Sequence, residues 1–203
     1  MNKSANHHGD LANALLSAAL EAVERGGAEV VSLREIAAEL GVSRAAPYRH
    51  FVDRDDLLAA VAASGFDDLT VVYENALSGD GDGLKRLRQV LDGYMSFATL
   101  RSGLHKLMFE SDLLQRTPPA TALVSSASRA YELLWRAVEG ANPAAGKTWV
   151  RARTATMMST IVGFLTLDRI GRFRPFMIEP LTHDDLVEAV LRAAIGPPPT
   201  SEG

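Results

Sequence analysis

The side chains best suited to chemistry gather in one short stretch. Between Ser43 and Arg54 stand Arg44, Tyr48, Arg49, His50 and Arg54, with Asp53 as the lone acid. Guanidinium groups donate charge-assisted, often bidentate bonds to phosphate or to guanine. A tyrosine hydroxyl and a histidine ring N–H also donate to phosphate and fix register. Arginines alone fit a solvated charged face; their combination with Tyr48 and His50 points to a polyanion instead.

The whole chain does not advertise such a partner. Its 203 residues carry 21 Lys+Arg against 25 Asp+Glu, a net charge of −4, so any nucleic-acid contact must come from this local patch. The absence of cysteine excludes disulfides, thiolate nucleophiles and Cys-ligated metals. Asp80 and Asp82 begin like a calcium loop but lack its closing carboxylate. The histidines (His7, His8, His50, His105, His183) include no i, i+4 pair for zinc. There is no G-x-S-x-G, P-loop or dinucleotide fingerprint. No catalysis, metal or cofactor is expected.

The elements that must hold this patch read as helices throughout. Hydrophobic residues are 47% of the chain, a globular composition. Leu11, Leu15, Ala19, Leu20 and Val23 form a helical stripe that stops at Gly26-Gly27. Ser32-Leu-Arg-Glu35 is a capping box, starting a helix through Leu40 that Gly41 ends. Ser43 can cap a helix near 44–51, and Asp53 another that runs to Leu77. Further helices are expected at about 84–100, 104–114, 121–140, 147–170 and 183–194, separated by the Gly/Asp loop 78–83 and by prolines. This predicts an all-α fold of about nine helices. Residues 1–52 form a three-helix helix-turn-helix domain, 53–195 a larger helical bundle, and 196–203 a disordered tail. The longest apolar stretch, Ala155–Leu167, falls short of the ~20 residues that a membrane helix needs, so a soluble, cytoplasmic protein without membrane contact is expected.

Ser32 to Phe51 forms one unit: a short helix, a glycine turn and a second short helix. Ile36, Leu40 and Val42 are spaced to pack the two together. That is the pattern of a helix-turn-helix, whose second helix enters the major groove. The segment resembles the DNA-binding domain of TetR/AcrR-family transcriptional regulators. The resemblance rests on Ile36-Ala37-Ala38-Glu39-Leu40-Gly41-Val42-Ser43, Tyr48-Arg49-His50-Phe51 and Asp53-Arg54-Asp55-Asp56-Leu57-Leu58, and it covers about residues 11–65. Two positions depart from the family pattern. Arg54 stands where Lys is usual. Pro47 stands where Leu or Ile is common, and a proline there removes a helical bond and distorts the first turn.

The resemblance implies that Arg44 and Ala45 face base edges. Ser32, Ser43, Tyr48, His50 and Arg54 would hold phosphates, with Arg49 on the same basic face and Arg34 either a contact or simply solvated. It also implies a homodimer on a palindromic double-stranded operator, and repression relieved by a small apolar ligand. The stripes Val150, Thr154, Ile161, Val162, Leu165 and Leu186, Val187, Val190, Leu191, Ala194 need a partner surface. That surface is a second copy by resemblance, or intramolecular core. Candidates for a ligand pocket are Tyr94, Phe97, Leu104, His105, Met108, Phe109, Tyr131, Trp135, Met157, Met158, Ile161 and Phe164, or these too are core. The competing reading is an all-α ligand-binding or interaction protein with incidental DNA contact.

Overall fold

A computed structural model describes residues 4–173 and 181–195, with side chains from residue 11 onward. The expected tail 196–203 lies outside the described residues. Among the described residues are eight α-helices and no strand. The helices are α1 (Ser4–Gly26), α2 (Leu33–Glu39), α3 (Arg54–Ser78), α4 (Gly83–Leu100), α5 (Ser102–Glu110), α6 (Thr121–Ala141), α7 (Lys147–Arg169) and α8 (His183–Ala194). Short 3-10 helices occupy Ala28–Val30, Pro47–Arg49 and Leu113–Gln115. The all-α reading holds. The ninth helix, expected over 44–51, is a 3-10 turn instead.

The chain forms two compact units. One comprises residues 1–69 with 97–129, the other 70–96 with 130–203.

In the N-terminal unit α1 packs against α2, α5 and the Pro47–Arg49 turn. Its buried face is the stripe Leu15, Ala19 and Val23, each fully excluded from solvent. The end of α1 is joined to the start of α5 by Glu24. Its carboxylate accepts from Arg101 Nε at 2.9 Å and from the Gly103 amide at 3.1 Å. That amide is one of the orphan donors of a helix N-terminus, so Glu24 caps α5 from another helix. The approach requires glycine, because a Cβ on residue 103 would sit 2.5 Å from the Val23 carbonyl oxygen. Phe66 of α3 meets Phe109 of α5 edge-on at 5.5 Å, and His105, wholly buried, tilts against the same ring at 4.8 Å.

In the C-terminal unit α7 and α8 pack together, and Arg153 donates to the Ala193 carbonyl at 2.9 Å. α8 begins with a capping box. The Thr182 hydroxyl accepts from the Asp185 amide while the Asp185 carboxylate accepts from the Thr182 amide. Tyr73, Leu87, Leu91, Tyr94, Val138 and Met157 are among its buried side chains. Burial pushes the Tyr73 and Tyr94 hydroxyls above the ordinary phenol value, and neighbouring phenols raise them further.

Candidate nucleic-acid interface

Three local devices shape the segment that carries the basic side chains. The Ser32 hydroxyl accepts from the Glu35 amide at 3.4 Å and opens α2. Gly41 closes it at φ +67°, a left-handed conformation that glycine adopts without strain. The Val42 amide then reaches back to Ala37 O and the Gly41 amide to Ala38 O, at 2.9 and 3.1 Å. This is a Schellman cap, and it turns the chain out of α2 with its last carbonyls satisfied.

The second element then departs from an α-helix for a chemical reason. Pro47 has no amide hydrogen with which to bond the Ser43 carbonyl. That carbonyl accepts from Ala46 at 2.9 Å instead, an i+3 bond. The pattern continues through Arg49 to Ala46 O and His50 to Pro47 O. The expected distortion of a first turn thus extends through His50, and the last bond, from the Phe51 amide to Pro47 O at 3.0 Å, returns to i+4 spacing. The Pro47 ring is buried and acts as the hydrophobic foot of the turn.

This leaves Ser43, Arg44, Ala45, Tyr48, Arg49 and Val52 exposed, with His50 and Phe51 half-buried. No acid lies in the run 43–52. Arg34, Arg44 and Arg49 make no ion pair with a described residue, in contrast to Arg54, Arg101 and Arg116. Val52 was not singled out from sequence. It is 82% exposed, and a lone valine after His-Phe carries no sequence signal of that.

Arg54 lies elsewhere in its chemistry. Its guanidinium donates from Nε to the Val31 carbonyl at 3.0 Å and from a terminal nitrogen to the Ala28 carbonyl. The other terminal nitrogen pairs with Asp55 at 3.3 Å. Next to it, the Asp53 carboxylate caps α3 through the Asp56 amide at 2.7 Å, and its two oxygens accept from one terminal nitrogen of Arg116, at 2.9 and 3.2 Å. The Asp56 carboxylate accepts from the Val52 amide. Arg116 was not foreseen, since no local pattern links positions so far apart in the chain.

The other expected site residues divide. In the C-terminal stripes Val150, Thr154, Ile161, Val187, Val190, Leu191 and Ala194 are buried within the chain, while Val162, Leu165 and Leu186 are half-buried. The apolar stripe that was expected to meet a second copy is largely covered by the chain's own core. Between residues 152 and 160 the exposed side chains of α7 are Ala152, Ala155, Thr156, Ser159 and Thr160. The Thr156 and Thr160 hydroxyls bond back to the carbonyls of Ala152 and Thr156, which leaves that face small and weakly polar.

Of the pocket candidates, Phe97, Leu104, His105, Met108 and Phe109 belong to the N-terminal unit, where all but Phe109 are buried. Tyr94, Tyr131, Trp135, Met157, Met158, Ile161 and Phe164 belong to the C-terminal unit. There Tyr94, Met157, Met158 and Ile161 are buried, and Tyr131 is 46% exposed. Trp135 lies under the Arg151 guanidinium at 5.3 Å, and its indole Nε1 is buried without a hydrogen-bond partner among the described residues. Phe164 stacks on Phe173 at 5.0 Å. No helix among the described residues is long and apolar enough to cross a membrane.

Comparison with known proteins agrees with this geometry. Residues 15–61 match bacterial regulatory proteins of the tetR family, and residues 87–194 match the tetracyclin repressor-like C-terminal domain. An uncharacterized HTH-type transcriptional regulator of Mycobacterium tuberculosis is 38% identical over 91 residues, covering 44% of this chain and only 38% of that protein. The HTH-type transcriptional activator FasR of Mycolicibacterium smegmatis is 32% identical over 187 residues, covering 90% of this chain and 80% of that one. A solved structure of a protein of unknown function from Rhodococcus sp. RHA1 superposes with a TM-score of 0.77 at 30% identity, covering 95% of this chain and 97% of the other. With its helix-turn-helix and both family domains matched, the chain belongs to the TetR family of DNA-binding transcriptional regulators.

Proposed function

We propose that this protein is a ligand-responsive repressor that binds a palindromic operator as a homodimer and leaves it when a small, mainly apolar molecule binds. The observation that carries the reading is the acid-free exposed face of residues 43–52, with Arg44 and Arg49 exposed and without an ion pair among the described residues. Unpaired guanidinium groups beside a helix-turn-helix suit phosphate and guanine. Arg44 and Ala45 read base edges. Ser32, Ser43, Tyr48, Arg49 and His50 hold phosphates, with Arg34 at the flank.

Dimerisation follows from the size of this face, because one 3-10 turn offers few base contacts. With the α7 and α8 stripes largely buried, the surface that meets the second copy is the exposed stretch Ala152, Ala155, Thr156, Ser159 and Thr160 of α7. Two-fold symmetry then requires half-sites about 34–36 Å apart or a multiple of that. The ligand site lies in the C-terminal unit around Tyr94, Tyr131 and Trp135. The support is the unsatisfied Trp135 Nε1, a buried donor of the kind that usually has a partner. Ligand acts by population shift, favouring a conformer whose recognition turns cannot reach both half-sites.

The test is selection from random duplex DNA at about 150 mM salt, close to physiological screening, followed by displacement with candidate apolar compounds. A palindrome with fixed spacing, released by a compound that fails against Trp135→Phe, supports the proposal. Weak, sequence-independent, salt-sensitive binding moves the reading to an interaction protein. Activation is the second reading of the sign, favoured by the relative that spans most of both chains and is named an activator. A reporter carrying the selected palindrome decides the sign.

A further inference from the structure

We infer that Arg54 is a positioning residue that acts through the N-terminus of α2, and not a phosphate contact itself. This rests on the operator-binding reading above. The guanidinium has five N–H donors. Its Nε and one terminal nitrogen are directed to the carbonyls of Val31 and Ala28. Those carbonyls bracket the 3-10 turn that leads into Ser32, the first residue of the α2 cap. The remaining terminal nitrogen faces the Asp55 carboxylate. A phosphate arriving there would meet that carboxylate and find the best-aligned donors already directed to backbone.

The fork geometry explains why arginine stands at this position. A planar guanidinium bonds two carbonyls at once, whereas the Lys ammonium is a point charge on a flexible stem. Anchored at the start of α3, the fork sets the height and direction at which the chain enters α2. It thereby aims the Ser32 hydroxyl. The neighbouring Asp53–Arg116 pair holds the base of α3 from the other side.

The experiment measures affinity for the selected operator across a salt series, using the full chain and the variants Arg54→Lys, Arg54→Ala, Asp55→Asn, Ser32→Ala and Ser32→Ala/Arg54→Lys. Thermal melts define a temperature at which each is folded. The inference expects Arg54→Lys to lose affinity about as much as Arg54→Ala, by about tenfold, with the salt slope of the wild type retained in both. It expects Arg54→Lys to cost much less in the Ser32→Ala background, since the two act through one phosphate contact. A residue needed only for overall stability would not couple to Ser32 in operator affinity. Asp55→Asn leaves affinity unchanged. The inference is overturned if Arg54→Lys binds like the wild type while Arg54→Ala lowers the salt slope by about 1, the mark of a lost phosphate contact. Additive losses from Ser32→Ala and Arg54→Lys overturn it as well. Failure to select any operator with the wild type refutes the operator reading instead, so the two failures are distinct. If Arg54→Ala does not fold, the Lys variant and its coupling to Ser32 still decide.

Discussion

The recognition segment 43–52 and the α7–α8 pair are both short stretches with a strong pattern, and they use it in opposite directions. In the first, the patterned side chains are polar and face out. Arg44, Tyr48 and Arg49 are exposed above a buried Pro47. In the second, the patterned side chains are apolar and face in. Met157 is fully buried while its neighbour Thr156 is exposed. A periodic apolar stripe states that a face is covered but not which molecule covers it. An exposed arginine with no acid nearby states more, because among the described residues nothing neutralises its charge.

The largest effect that tests this contrast is expected at adjacent residues of α7. Met157→Ala should cost about 2–5 kcal/mol of folding stability. Thr156→Arg, one residue earlier, should stay within about 0.5 kcal/mol yet shift the protein toward monomer in sedimentation. Denaturant melts and sedimentation of both variants check this. Equal stability losses would mean that the two faces are not distinct.

The interior of the C-terminal unit makes a second prediction, in alkali. Burial raises the Tyr73 and Tyr94 hydroxyls, so the fold favours their neutral form. That stability is complete below the unfolded phenol value of about 10 and is lost as pH rises above it, by about 1.4 kcal/mol per pH unit for each tyrosine. Absorbance and circular dichroism should then report phenolate formation and unfolding together. Reversible ionisation of all four tyrosines without unfolding contradicts their burial.

On the outward side of the comparison, Arg44→Ala should lower operator affinity by about 1–3 kcal/mol and relax preference at one base. Repeating the DNA selection with the variant checks it, and an unchanged motif would remove Arg44 from base reading.

The smallest effect concerns α8. Thr182→Ala removes an N-cap, worth about 1 kcal/mol. The same cap gives an acid limb. Hydrogen bonds from the Thr182 side chain and then its amide hold the Asp185 carboxyl below its ordinary value. This contribution is present above the unfolded value and fades as pH falls through the lowered folded one. In the Thr182→Ala variant the acid dependence of α8 hydrogen exchange should weaken.

Much of this was legible in the sequence because it is local. The Ser32 cap of α2, the left-handed Gly41, the Asp53 cap and the bounds of α8 depend on residues within a few positions. The distortion at Pro47 was legible as well, though its extent was not. Whether one missing amide disturbs a turn or converts most of the element to 3-10 geometry depends on what the ring packs against. Whether the α7 and α8 stripes meet a second copy or the chain's own core was left open in the sequence, because periodicity is silent about the covering surface.

The sequence by itself determined the all-α class, the order of the helices, the helix-turn-helix and the side chains that face DNA in the proposed complex. Each follows from caps, periodicity or residue type at short range. Only the tertiary structure decided what those elements meet. It turned Arg54 from the expected phosphate contact toward the carbonyls of Ala28 and Val31, joined Arg116 to Asp53 and buried the α7 and α8 stripes within the chain. These pairings lie far apart along the chain, and only packing brings such residues within hydrogen-bond or van der Waals reach.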